Sequence, residues 1–207
     1  MNLLSNLPEF IAAVFLLAMI PGQGTAMILR QTLLFGSRTG AFTVISYTFG
    51  FAIWGALSAI GLAGVFTQSP TAYAALKYVG VSYLLFLSLQ GFIHLSKNSS
   101  KFDFSRMENV VKATPIKTGI TTSLTNAKAA VIAVAFLPAF VPEDFNLALG
   151  IFTLSCVWML TSMCWYLPLV LSIGKATDFF ANPKSRRSLS LISCFGLLIL
   201  AFLLAIS

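Results

Sequence analysis

Six apolar stretches follow one another along the chain, at about 9–30, 41–64, 72–95, 118–141, 145–172 and 188–206. Each is long enough to cross a bilayer as a helix, and short polar, glycine or proline-bearing segments separate them. The pattern predicts an all-α, polytopic membrane protein with six transmembrane helices. Two of the stretches are interrupted near their middles. Ile20-Pro21-Gly22-Gln23-Gly24-Thr25 breaks the first: Pro21 removes a backbone donor, and the glycines leave the backbone bare. Thr121-Thr122-Ser123-Leu124-Thr125-Asn126-Ala127-Lys128 breaks the fourth with polar side chains. Irregular backbone at membrane depth is tolerated only where it packs on protein or lines a watery cavity, so both breaks mark candidate sites.

Composition supports this reading: 57% of the 207 residues are hydrophobic, only 9% are charged, and the mean hydropathy is +0.89. Soluble domains carry about 25% charged residues. The net charge of +7 does not point to nucleic acid, because the basic residues fall in membrane-flanking loops. The loops after spans one, three and five hold eleven of the thirteen Lys and Arg residues. The positive-inside rule then places both termini outside the cytoplasm. Cys156, Cys164 and Cys194 lie in apolar segments and read as small hydrophobes rather than a disulfide frame. The first apolar run lacks a basic leader and is expected to stay on as the first span.

The two broken stretches are related. Residues 20–27 slide onto 124–131 with an offset of 104, which also carries span one onto span four and span two onto span five. An odd number of crossings inverts the second copy. The expectation is one transporter domain over 1–207, with repeat one at about 1–96, a linker at about 97–117 and repeat two at about 118–207. Inverted repeats with paired broken helices are the plan of many secondary transporters, whose sites lie where the breaks meet.

Lys128 is the sharpest feature. It lies ten residues into span four, roughly 15 Å along a helix, where a lysine costs on the order of 3 kcal/mol. In a continuous helix Thr121, Thr125 and Lys128 share one face. No Asp or Glu lies inside any span, so the charge is unpaired unless helix carbonyls, Asn126, threonine hydroxyls, water or a substrate carboxylate meet it. If it is unpaired, its removal raises stability. Span two carries Thr43, Tyr47, Gly50, Trp54, Ser58 and Gly61 at helical spacing, a stripe suited to close helix packing. Trp158, Ser162 and Trp165 share a face of span five, and His94 reads as interfacial.

The chain resembles the lysine exporter/RhtB (homoserine–threonine efflux) family of bacterial amino-acid exporters. The resemblance rests on Pro21-Gly22, the Gly36 to Gly40 turn, the Ala75 to Leu84 opening of span three, and Gly119 through Asn126 and Lys128 to Val141. It implies secondary, proton-coupled efflux of small amino acids or their derivatives across the bacterial inner membrane, without enzymatic activity or cofactor. Expected partners are the small-molecule substrate and the lipid bilayer, not nucleic acid, and a homo-oligomer is left open. The substrate-binding set is Pro21, Gly22, Gln23, Gly24, Thr25, Tyr47, Thr121, Thr122, Thr125, Asn126 and Lys128. Gln23 and Gly24 stand where the family carries a second proline and often Asp or Asn. Ala127 stands where it carries the proline of Asn-Pro-Lys, which predicts a milder break in span four than the family's proline would give.

Two other classes remain. Cys156, Met159 and Met163 recur at i, i+3 and i+7 on span five, a donor set suited to a soft metal ion such as Cu(I) in an exporter. The other class is a non-transporting membrane scaffold. Reporter fusions at Ser99 and Pro142 are expected to report the cytoplasmic and external sides respectively; a common side for both overturns the orientation and the inverted repeat together.

Overall fold

The computed structural model describes residues 6–20, 22–66, 70–96, 114–142, 144–172, 179 and 182–206. Pro21, Glu143, most of the 97–117 linker and the loop residues 173–178 fall outside these, as do the side chains of Tyr73, Lys77 and His94. The elements are α1 (Leu7–Met19), α2 (Gln23–Phe35), α3 (Ser37–Phe66), α4 (Pro70–Ser96), α5 (Pro115–Leu124), α6 (Ala127–Val131), α7 (Leu147–Leu171) and α8 (Pro183–Ile206). A π-helical turn (Ile132–Phe136) and a 3₁₀ turn (Pro138–Phe140) continue α6. No strand occurs among the described residues.

The predicted apolar stretches coincide with these helices to within a few residues at most ends. Between α2 and α3 the expected five-residue turn contracts to Gly36 alone, whose φ of +84° is the left-handed conformation that favours glycine. Two helices, over Ser37–Gly61 and Leu147–Leu171, are long and apolar enough to cross a membrane. Two bent pairs, α1 with α2 and α5 with the helix after it, each pass as one broken span, giving two to four candidate spans.

The surface is apolar as well as the core. Large apolar side chains such as Phe42, Phe49, Ile60, Tyr78, Phe86 and Phe202 are exposed. The interior holds buried hydroxyls at Thr43, Ser46, Thr48, Ser58, Ser88 and Ser123. Several of these donate back to their own helix, as Thr48 Oγ1 does to the Val44 carbonyl at 2.9 Å, so they cost little in an apolar setting.

α3 is the central element, packed on both α5 and α7, while α4 pairs with α8 and α1 lies against α7 and α8. The stripe expected on span two is the seam with span four. Gly50 accepts the Ser123 side chain where a Cβ would stand, and Gly119 of α5 lies on the backbone of Thr43 and Tyr47. Trp54 Nε1 donates to the Ser123 carbonyl at 3.2 Å, and Ser58 Oγ to the Ala133 carbonyl at 2.7 Å. Gly61 departs from this pattern, with nothing near its Cβ position.

The Ser58 bond has a definite cause. In the π turn the Leu137 amide donates to the Ile132 carbonyl, five residues back, at 2.9 Å. The Ala133 carbonyl thus loses its α-helical donor, and the next residue, Pro138, has no N–H to offer. Ser58 supplies the missing proton from across the interface. Ser58→Ala is expected to lower stability by about 1 kcal/mol, read as a reduced unfolding temperature in detergent. An unchanged transition shows that water or local repacking satisfies Ala133 instead.

Candidate functional site

Both expected breaks are present, bent by 60° between α1 and α2 and by 56° between α5 and the helix after it. The break in span four is thus well formed although no proline stands at position 127. Asn126 does the work of the missing proline. Its backbone is extended at φ −81°, ψ 105°, and its Oδ1 accepts the Lys128 amide at 3.1 Å, starting α6 afresh. The Asn126 amide turns back to the Ser123 carbonyl at 3.2 Å, which closes α5.

The two breaks meet through Lys128. Its Nζ donates to the Leu17 carbonyl at 3.0 Å, so the ammonium is not unpaired. The chemistry is forced from the other side. In a continuous helix the donor to Leu17 would be residue 21, and Pro21 has no N–H. Leu17 is also one of the last carbonyls of α1, at the negative end of the helix dipole, which favours a cation there. The neighbouring Ala18 carbonyl, likewise released where α1 ends, accepts from the Tyr166 hydroxyl at 3.4 Å.

Aromatic side chains close the space around these groups. Asn126 Nδ2 donates to the Tyr47 hydroxyl at 2.9 Å, and the Tyr47 ring stands edge-on to Phe51 and Tyr166. Phe51 stacks flat on Trp158 with ring centroids 4.0 Å apart. Between them lies a cavity of about 10 Å³, the space of a single water, so an amino acid needs a more open conformation. None of the described residues lining it is acidic.

Of the expected site residues, Tyr47, Asn126 and Lys128 line this cavity. Gly24 supports it from behind, because the Tyr47 hydroxyl occupies the place of a Cβ there. Thr25 is buried beside Tyr166, within reach of its hydroxyl but without full hydrogen-bond geometry. Gly22 and Gln23 are exposed at the start of α2 and do not line the cavity. Pro21 lies outside the described residues. Thr121 and Thr125 are exposed and bond their own helix, to Lys117 and Thr121 carbonyls at 2.7 and 2.8 Å; with Thr122 they stay off the cavity. The face they were expected to share with Lys128 assumes a continuous helix, and the break at Asn126 turns the helix after it onto a new axis.

Tyr166, Ser162, Phe51 and Trp158 also line the cavity, together with Leu17, Ala18, Ala129 and Ile132. Ser162 and Trp158 stood out only as members of a common face. Tyr166 and Phe51 follow Ser162 and Tyr47 by four residues, a spacing that places each pair together but does not separate lining from packing. Cys156, Met159 and Met163 do not line the cavity, and Met163 packs against the apolar core.

The family model for LysE type translocators matches residues 15–207. The chain belongs to that family. It is therefore a multi-pass membrane protein of a family whose members are transporters. It is similar to an uncharacterized membrane protein of Bacillus subtilis, YrhP, at 24% identity over 95% of this chain and 96% of that one. An uncharacterized membrane protein of Vibrio cholerae is 30% identical over 70% of both chains. The leucine efflux protein of Klebsiella pneumoniae is 26% identical over 97% of this translocator and 93% of its own length. No solved structure matches.

The two glycines of the first break differ in their demands. Gly22 is extended at φ −151°, with its Cβ position open, whereas any side chain at residue 24 collides with the Tyr47 hydroxyl. Gly24→Ala is expected to cost about 1–3 kcal/mol of stability by displacing Tyr47. Gly22→Ser, placing a favoured capping residue at the helix start, is expected to be neutral. Equal losses in thermal unfolding for the two variants overturn this distinction.

Proposed function

We propose that this translocator is a secondary active exporter of small, uncharged amino acids or their derivatives. It works by alternating access across the bacterial inner membrane, with proton antiport as the energy source. The Lys128 ammonium seated on the end of α1 carries the reading. It supplies a fixed cation for a substrate carboxylate at the meeting of the two breaks. Phe51, Trp158 and Ile132 offer an apolar wall for a side chain, which fits the leucine efflux of relatives such as the Klebsiella protein.

The transport geometry in this reading is six spans in two inverted three-helix repeats, in one domain over 1–207 with both termini outside. α4 and α8 serve as spans three and six. Their 27 and 24 residues give lengths of roughly 40 and 36 Å, enough for a bilayer. The packing pattern supports a pseudo-two-fold exchange of the halves: α3 meets its counterpart α7, and α4 meets α8. Span one packs on α7 and α8 as span four packs on α3 and α4. Alternating access then rocks one repeat against the other about the site.

Uptake of labelled amino acids into everted vesicles under an imposed pH gradient tests the function. Lys128→Ala is expected to abolish transport, and Lys128→Arg to impair it markedly, because a planar guanidinium does not reproduce the point charge at Leu17. Lys128→Ala is also expected to destabilise by about 1–3 kcal/mol, since the Leu17 carbonyl loses its donor. Full transport by Lys128→Ala returns the residue to a purely structural role.

A further inference from the structure

We infer that the carbonyls of Leu17 and Ala18 form the subsite for a substrate's own ammonium group, and that Lys128, whose Nζ sits on the Leu17 carbonyl, is a built-in stand-in for that group. This assignment rests on the exporter reading and extends it to the chemistry of the ligand. The end of α1 presents two carbonyls to the cavity, and the cation on one of them belongs to the protein. A site shaped by a helix terminus and a missing proline N–H accepts any ammonium of suitable reach. Lys128 is the only cationic side chain among the described residues lining the cavity.

A second observation points to a ligand. Ser162 Oγ is 1% exposed, lines the same cavity and has no hydrogen-bond partner. A buried hydroxyl in that condition is a donor waiting for an acceptor, and the Leu17 and Ala18 carbonyls are already engaged. The missing acceptor fits a carboxylate. A zwitterion therefore satisfies everything left over. Its ammonium takes the α1 carbonyls, Lys128 swings from Leu17 to the carboxylate, and Ser162 donates to the same group. Lys128 then has two alternative partners, the Leu17 carbonyl and the substrate carboxylate. Ligands lacking the ammonium fail because they displace Lys128 and leave Leu17 without a donor.

The test is calorimetric binding to the purified protein, with counterflow in proteoliposomes, using L-leucine, N-acetyl-L-leucine and 3-methylbutan-1-amine. The wild type is expected to bind and exchange L-leucine and to take N-acetyl-L-leucine at least about tenfold less well. In Lys128→Met the order changes. L-leucine loses affinity with its carboxylate partner, while the amine gains about tenfold because its subsite is vacated. Equal handling of L-leucine and N-acetyl-L-leucine by the wild type overturns the subsite but leaves an exporter in place. Absence of counterflow for all three ligands overturns the exporter reading and the subsite with it. Should Lys128→Met fail to fold, the wild-type comparison alone decides. An amine affinity unchanged or weakened in a folded Lys128→Met shows that Lys128 does not compete for the α1 carbonyls, and overturns the inference.

Discussion

A carbonyl deprived of its amide partner in the middle of an apolar bundle must be met by another donor, and much of this structure follows from that demand. The end of α1 releases the carbonyls of Leu17 and Ala18, and the π turn releases that of Ala133. At the break in span four the Ser123 carbonyl is left with the Asn126 amide, at 3.2 Å. Four side chains answer them: Lys128, Tyr166, Trp54 and Ser58. Each donor reaches across from the other half of the chain. α1 is answered from span four and α7, while span four is answered from α3. The breaks therefore cross-link the halves as well as interrupt the helices.

This accounts for a lysine at membrane depth without an acidic partner. The cost of desolvating the ammonium is offset by a charge-assisted hydrogen bond and by the negative end of α1, and the same bond spares Leu17 an unsatisfied oxygen. Tyr47 ties the arrangement together. Its hydroxyl touches Asn126 at one break and rests on Gly24 at the other, so the positions of the two breaks are set against a single ring.

Much of this was legible in the sequence. The helices, the location of both breaks and the placing of Asn126 and Lys128 at the second break follow from apolar run length, Pro21-Gly22 and the intramembrane charge. The orientation of Thr121 and Thr125 did not follow, because a helical projection carries phase across residues that do not propagate it. The second break forms without a proline at position 127. A backbone turned outward at Asn126 and recaptured by its own side chain achieves a similar bend. Tyr166 and Ser162 were hidden for a different reason: a hydroxyl on an apolar helix looks the same in sequence whether it lines a cavity or bonds its own turn.

The π turn at Ile132–Phe136 gives span four one surplus residue. In register terms, the Leu137 amide has two carbonyls within reach along its own helix, Ile132 five back and Ala133 four back. It uses the first, and Ser58 holds the second. A single hydroxyl on α3 thus acts as a pawl on the winding of the neighbouring helix: while it is engaged, the slack stays wound in, and the part of span four beyond the π turn keeps its rotational setting.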